Sequence, residues 1–529
     1  MLGLSLRGAW AAPAALAPGV LDGRTDVAAA YGTRRLLSAH GLGPAFDLIR
    51  GSDGATATVG FNAAGDPTLV GSGTLADWLG SGGAKVSRWY DQTGAGNHAT
   101  QATVNNQPGL RLGSRIGMAP SIIFNGQFIS DLTPGGGTNF KWLVIPDTLT
   151  GLSSTSLTLL AVTRSLAFNR QGGIVQLHQA ARASNTPPVN LVRASSDQAV
   201  GLVGYGPSGV NWSQFGPSNR QMLMNPQAVA YACAAAAGAG TYVQHWDGAN
   251  APATGGPWSS VALAGGLIGA WQQNPTLLPA MGASSGFEGE IGAVVVLNQA
   301  IAPAAATALR GALTDDFGAT PAFTPGIGSL LFMGDSITEG TGSTFGQTVP
   351  RRVEQLGLAV SPRLYAGGRF AGTLATNVRA LWATYTALAV PGARNVLLFS
   401  AGTNDIAGGA TAATVFGADD AAGTTPDTIR RVVASGRAQG WTMLVGTLVG
   451  RGYMSAAAQA ERASLNALIR DGAATHGYAV VDYAAIPQLA ANPVFGNPHY
   501  LADLVHPNDA GYALMAPVAQ AAVNAAFAA

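Results

Sequence analysis

Four polar residues in the C-terminal part of the chain have the types that acyl transfer requires. Ser336 follows an apolar run in LFMGDSITEG (Leu331 to Gly340). Asn404 follows another in LLFSAGTND, and Asp503 and His506 lie three residues apart in DLVHPN. A serine hydroxyl is a poor nucleophile until a base removes its proton, and histidine is the usual base near neutral pH. The base needs an orienting acid, and Asp503 is close enough in sequence to accept from the second ring nitrogen of His506. A tetrahedral intermediate also needs donors aimed at its oxyanion. Asn404 offers a side-chain N–H, and Ser336 and Gly372 offer backbone N–H groups. Gly372 lies in the Gly-rich stretch RLYAGGRFAGT.

Taken singly, each residue has a plainer role. Ser336 suits a helix N-cap, and Asn404 and Asp503 suit turns. Asp335 is read as holding loop backbone, Asp405 and Asn508 as turn or helix-start residues, and His476 and His499 as surface or satisfied histidines. What joins the four is their placement. SLLFMG, RLYAGG, NVLLFSAG, TMLVGTLVG and YAVVDY are short apolar runs separated by Ala-rich, helix-like segments. Strands alternating with helices predict a parallel sheet covered on both faces. Ligands bind such sheets beyond the carboxyl ends of the strands. Ser336, Asn404 and the Gly-rich loop each follow a strand, and DLVHPN lies between the last strand and the closing helix.

The motifs Gly334-Asp335-Ser336-Ile337, Gly402-Thr403-Asn404-Asp405 and Asp503-Leu504-Val505-His506-Pro507 resemble the first, third and fifth blocks of the SGNH hydrolases, or GDSL-type esterases. The resemblance covers the region after about residue 322, with the blocks in order. It implies Ser336 as nucleophile, His506 as base, Asp503 as its partner, and an oxyanion hole of Ser336, Gly372 and Asn404. It requires no metal and no organic cofactor. The second block departs from the family pattern, since Gly367 or a neighbour stands where an Asn is usual; this leaves Gly372 and Gly368 both open.

The preceding region has a different texture. Up to about residue 322 it is rich in Gly, Asn, Ser and Thr. Short runs such as SIIFNG, SLTLLAVTR, GGIVQLH and GAVVVLN are divided by turn clusters, which predicts a β-sandwich or jelly roll. RWYDQTGAGNHATQAT (Arg88 to Thr103), with AYGTRRLLSAHGLGPAFDLIR before it and PSIIFNG after it, resembles the jelly roll of α-L-arabinofuranosidase B, most clearly over 29–126. Beyond that it resembles a laminin-G-like or concanavalin-like sandwich. The family's Asp-Leu-Glu-Asn-Gly segment has no counterpart here. Glycoside cleavage usually takes two carboxylates, so glycan binding or a structural role is expected instead. Candidate sugar-stacking residues are Trp89, Tyr90, Trp212, Trp246, Trp258 and Trp271, with Asp91 beside the first two. GASSG (Gly282 to Gly286) fits a nucleophile-elbow pattern but precedes a strand rather than a helix, so it is read as a loop.

Composition bounds the remaining classes. The 529 residues are 47% apolar and 10% charged, which is globular. A net charge of +1 carries no electrostatic footprint for nucleic acid or an anionic membrane. No run approaches the roughly 18 apolar residues of a membrane span. Cys233, the single cysteine, excludes an intramolecular disulfide and is read as a buried apolar residue. The N-terminus contains AAPAALA but lacks a preceding positive charge, and it is read as an arm.

The expected organisation is therefore an arm (1–24), a concanavalin-like β-sandwich (25–322) and an α/β/α SGNH domain with a parallel sheet (323–529). The expected function is removal of acetyl or other short acyl groups from a polysaccharide through an acyl-serine, outside the cell or on a cell or virion surface. Two alternatives stand beside it. One is a general short-chain esterase or lipase with a structural sandwich. The other is a phage-tail or cell-surface adhesion protein with an auxiliary esterase. The acyl group, the glycan and the oligomeric state are open.

Overall fold

The computed structural model describes residues 15–529 except 72, 81–82, 113–119, 125–140, 154–155, 166–171, 180–188, 194–199, 206–210, 216–224, 226, 235–241, 245–249, 253–261, 271–285, 288, 320–322, 342–346 and 369–371. Trp246, Trp258, Trp271, most of the GASSG loop and the first part of the N-terminal arm fall outside the described residues, as do the side chains of Trp212 and Cys233.

The N-terminal region is an antiparallel sandwich. The strand Ser156–Ser165 is central, pairing with Gly289–Leu297 on one side and Gln227–Ala234 on the other. Its side chains alternate as a strand requires. Leu157, Leu159 and Ala161 enter the main core with Phe46, Trp89, Phe124 and Ile174. Leu160 and Val162 point the other way, against the helix Pro303–Asp316 through Ala306, Leu309 and Leu313. The run GAVVVLN is continuous rather than alternating for the same reason: both faces of its strand are covered, and every residue from Gly289 to Leu297 is buried.

The C-terminal region is a five-stranded parallel sheet wrapped by helices. Its strands are β1 (Ile327–Gly334), β2 (Arg363–Gly368), β3 (Arg394–Ser400), β4 (Trp441–Gly446) and β5 (Ala479–Val481), in the order β2-β1-β3-β4-β5. The helices used below are α1 (Ser336–Glu339), α2 (Val349–Leu356), α3 (Thr403–Ala407), α4 (Ala456–His476) and α5 (Asp509–Ala528). The chain reverses direction across the sheet between β1 and β3. That switch point is where loops diverge and leave a crevice. Gly334, Gly368 and Ser400 lie side by side in register, so β1, β2 and β3 deliver their following loops at one level.

The two regions meet through buried charge. Glu354 on α2 pairs with Arg164 of the central sandwich strand and with Arg351 one turn away. Arg351 also approaches Glu290 at 3.5 Å, and Glu290 takes Arg111 at 2.5 Å and the Ser121 hydroxyl at 3.1 Å. Burial lowers the Arg351 guanidinium to about 8 and that of Arg164 to about 10. Asn225 adds a neutral clasp, accepting from the Leu364 N–H at 3.0 Å.

Candidate active site

The apolar run of β1 ends in Asp335, and the cap of α1 is this aspartate rather than the serine. Its Oδ1 accepts from the Ile337 N–H at 2.9 Å. The capping role open to Ser336 is thereby filled by its neighbour, which leaves the Ser336 hydroxyl for other work. Ser336 stands at the first helical position, where an N–H has no intrahelical acceptor.

The loop before α5 carries Asp503 and His506. Asp503 Oδ1 accepts from the backbone N–H of Val505 at 2.9 Å and of His506 at 3.1 Å, an Asx-type turn. Leu504 adopts φ 54°, a conformation costly for a branched side chain, and the turn closes with Leu501 N–H donating to the His506 carbonyl at 3.0 Å. This strained turn brings two residues three apart into side-chain contact without a helix. His506 Nδ1 lies 2.6 Å from Asp503 Oδ2, and His506 Nε2 lies 2.9 Å from Ser336 Oγ. An ionised carboxylate only accepts, so Nδ1 carries the proton and Nε2 presents its lone pair to the serine hydroxyl.

Burial alone would raise the Asp503 carboxyl; the imidazole and the two backbone donors overcome it and hold the group below its ordinary value. Asp335 goes the other way. Burial pushes it up to about 6, against the opposing pull of the Ile337 N–H, His506 and Arg451. Ser336 and His506 are themselves buried, 3% and 7% exposed, so their hydrogen bond is shielded from bulk water.

Asn404 sits in the first turn of α3, and its Nδ2 donates to the Gly372 carbonyl at 3.0 Å. The neighbouring Asp405 accepts from the Leu374 N–H at 3.2 Å, tying the loop after β3 to the loop after β2. Gly372 is thus beside Asn404. Gly368 is closed in, since a Cβ there would meet the Glu339 N at 2.0 Å and its Cα at 2.5 Å. Its role is to let β2 approach the backbone of α1.

Other sequence expectations fare differently. Asn508 caps α5, accepting from Ala510 and Gly511. His476 pairs with Asp420. His499 holds Asn508 through its backbone carbonyl and takes no part in the Ser336–His506–Asp503 line. The proposed sugar contacts at Trp89 and Asp91 must be corrected. Trp89 is a fully buried core residue. Asp91 is 1% exposed and spends its carboxylate on the Ala30 and Thr93 N–H groups and the Thr93 hydroxyl. Alternation along the strand turns Trp89 inward, while the half-buried Tyr90 packs at a tilt against the His98 ring and donates to Asp47.

One residue of the site was not singled out from the sequence. Arg451 follows β4, and its Nη1 donates to Asn404 Oδ1 at 2.8 Å. Its signal was positional only, a cation in the Gly-flanked loop GRG at the carboxyl end of a strand. No group of three or more potential metal ligands occurs among the described residues. No helix among them is long and apolar enough to cross a membrane.

Residues 332–514 match the family model of the GDSL-like Lipase/Acylhydrolase family. The N-terminal region is similar to alpha-L-arabinofuranosidase B of Penicillium canescens, 35% identical over 137 residues, which is 25% of this chain and 28% of that protein. The chain therefore spans little more than a quarter of this relative's length. Among solved structures, a member of the lipolytic G-D-S-L family from Veillonella parvula aligns with 36% of this chain and 96% of its own, at 20% identity and a TM-score of 0.29. An arabinofuranosidase complexed with arabinofuranosyl-alpha-1,2-xylobiose aligns with 57% of this chain and 66% of its own, at 17% identity and a TM-score of 0.36.

Proposed function

We propose that the protein is a serine ester hydrolase that removes short acyl groups, acetyl foremost, from a polysaccharide held by the sandwich. The observation that carries this reading is the continuous line from Asp503 through His506 to Ser336, with contacts of 2.6 and 2.9 Å. The match of residues 332–514 to an acylhydrolase family supports the reaction class. The polysaccharide rests on the likeness of the N-terminal region to an arabinofuranosidase B. The working units are taken as 25–322 and 323–529, and the site of action as outside the cell.

In the proposed cycle Ser336 Oγ attacks the ester carbonyl carbon as its proton passes to His506 Nε2. Asp503 steadies the imidazolium that forms. The oxyanion receives hydrogen bonds from the Asn404 side chain and from the backbone N–H groups of Ser336 and Gly372. Collapse breaks the bond to the sugar oxygen, which takes the proton from His506. Water then attacks the acyl-serine, giving its proton to His506, and the second collapse returns the proton to Ser336 Oγ and frees the carboxylic acid. No step needs a metal or a cofactor.

The test compares wild type with Ser336→Ala on acetylated xylan and on p-nitrophenyl esters of increasing chain length. The expected result is a fall in kcat on the order of 10³ or more in the variant, with acetate released from the polysaccharide by the wild type. Unchanged turnover in Ser336→Ala would overturn the mechanism, and a preference for octanoate or longer would overturn the deacetylase reading.

A further inference from the structure

We infer that Arg451 is a positioning residue for the oxyanion hole, fixing which way the Asn404 amide faces. The inference rests on the esterase reading and adds to it a residue that acts through Asn404.

A side-chain amide has one acceptor end and one donor end of nearly equal size, and rotation by half a turn exchanges them. Only the donor end serves an oxyanion. Asn404 is gripped at both ends by groups that tolerate a single orientation. A guanidinium has donors and no acceptor, so Arg451 Nη1, at 2.8 Å, must face Oδ1. The Gly372 carbonyl has no donor, so at 3.0 Å it must face Nδ2. Turning the amide over would set donor against donor on one side and acceptor against acceptor on the other. In the observed orientation one Nδ2 hydrogen is spent on Gly372, and the second remains for the substrate oxygen.

The arginine is itself held by its loop. Gly450 N–H donates to the Leu489 carbonyl at 2.6 Å, and Gly452 N–H donates to the Leu504 carbonyl at 2.7 Å, inside the turn that carries Asp503 and His506. Tyr500 Oη donates to the Gly450 carbonyl at 2.9 Å, and Gln459 of α4 donates to the Arg451 carbonyl at 2.6 Å. Both glycines are required by close approach: a Cβ at 450 would meet the Ala491 carbonyl oxygen at 1.9 Å, and one at 452 would meet Leu504 Cβ at 2.6 Å. The loop after β4 thus joins the Asp503–His506 turn to the amide after β3. Arg451 is half-buried, and its charge lies near Asp335 and Asp503 as well.

The experiment is a double-mutant cycle on Arg451→Met and Asn404→Ala, read as kcat and KM on a short-chain p-nitrophenyl ester, with folding checked by circular dichroism. Losing one oxyanion donor costs about 10²–10³ in kcat. Arg451→Met, which leaves the amide free to turn, is expected to lose about 10–10²-fold in kcat with KM within about threefold. Arg451→Lys, which keeps a donor, is expected to recover most of that loss. The double variant should be no slower than Asn404→Ala alone, because the arginine has nothing left to orient. A general structural defect would instead multiply the two losses. Arg451→Met within twofold of wild type, or losses that multiply, would overturn the inference. Should Arg451→Met not fold, Arg451→Leu, which also lacks a donor, takes its place in the cycle with the same two criteria. Failure of the esterase reading is distinguishable, since there Ser336→Ala would match wild type; the present inference fails only where Ser336→Ala is inactive and the Arg451 variants are not impaired through Asn404.

Discussion

Ser336 Oγ and His506 Nε2 lie 2.9 Å apart, although 170 positions separate them along the chain. One follows the first strand of the parallel sheet and the other precedes the last helix, so their contact depends on every intervening crossover being correctly wound.

Asp503→Asn tests the orienting acid. Asn can still accept from the Val505 and His506 N–H groups through its oxygen. Its NH₂ would then face His506 Nδ1 and favour the tautomer with the proton on Nε2, which cannot take the Ser336 proton. A loss of about 10³–10⁴ in kcat with little change in Tm is expected, by analogy with serine triads generally. Steady-state kinetics beside a thermal melt decides it; a loss under tenfold would remove Asp503 from the mechanism.

Asp335→Asn tests the buried cap by stability. Burial raises the Asp335 carboxyl to about 6. Between its ordinary value of 3.8 and about 6, the folded protein binds the proton more tightly than the unfolded chain. The contribution of this group to stability is full below the unfolded value and is lost as pH rises to about 6. Asn keeps the cap to Ile337 without the buried charge. The variant should melt higher than wild type at pH 7–8 and equal to it near pH 4. The difference has a ceiling of about 3 kcal/mol, at roughly 1.4 kcal/mol per pH unit. A gap that widens toward acid pH would contradict this account.

Glu354→Ala tests the bond between the two regions. The substitution leaves Arg164 and Arg351 buried beside each other without the carboxylate that pairs them. Breaking a buried pair in this way costs about 3–5 kcal/mol. Calorimetry should show a clear drop in Tm; a change of under 1 kcal/mol would mean that the contact does not hold the two regions together.

Gly368→Ala tests the close approach of β2 to α1. The added Cβ would collide with the Glu339 backbone at 2.0 Å, and relief requires α1 to move, carrying Ser336 with it. Displacements near 1 Å at a reacting group can cost about 10²-fold. A lowered Tm together with at least a tenfold loss in kcat is expected, and full activity in a folded variant would show that α1 tolerates the shift.

By itself, the sequence determined the residue types and the rhythm that carries them. A serine and an amide each stood where an apolar run stopped, an Asp–His pair stood between the last strand and the closing helix, and alternating strands and helices require the strand ends to share one edge. The change from short, turn-divided strands to this rhythm likewise separated an antiparallel region from a parallel one. These features are local, and local patterns survive in a one-dimensional reading. The tertiary structure decided the rest. It assigned the helix cap to Asp335 instead of Ser336, placed Gly372 against Asn404 and gave Gly368 a packing role. It turned Trp89 and Asp91 inward, brought Arg451 to Asn404, and set Glu354 between two arginines. Each of these is a contact between distant segments, fixed by the sheet order and by which face of an element is covered, and neither quantity is written in the neighbours of a residue along the chain.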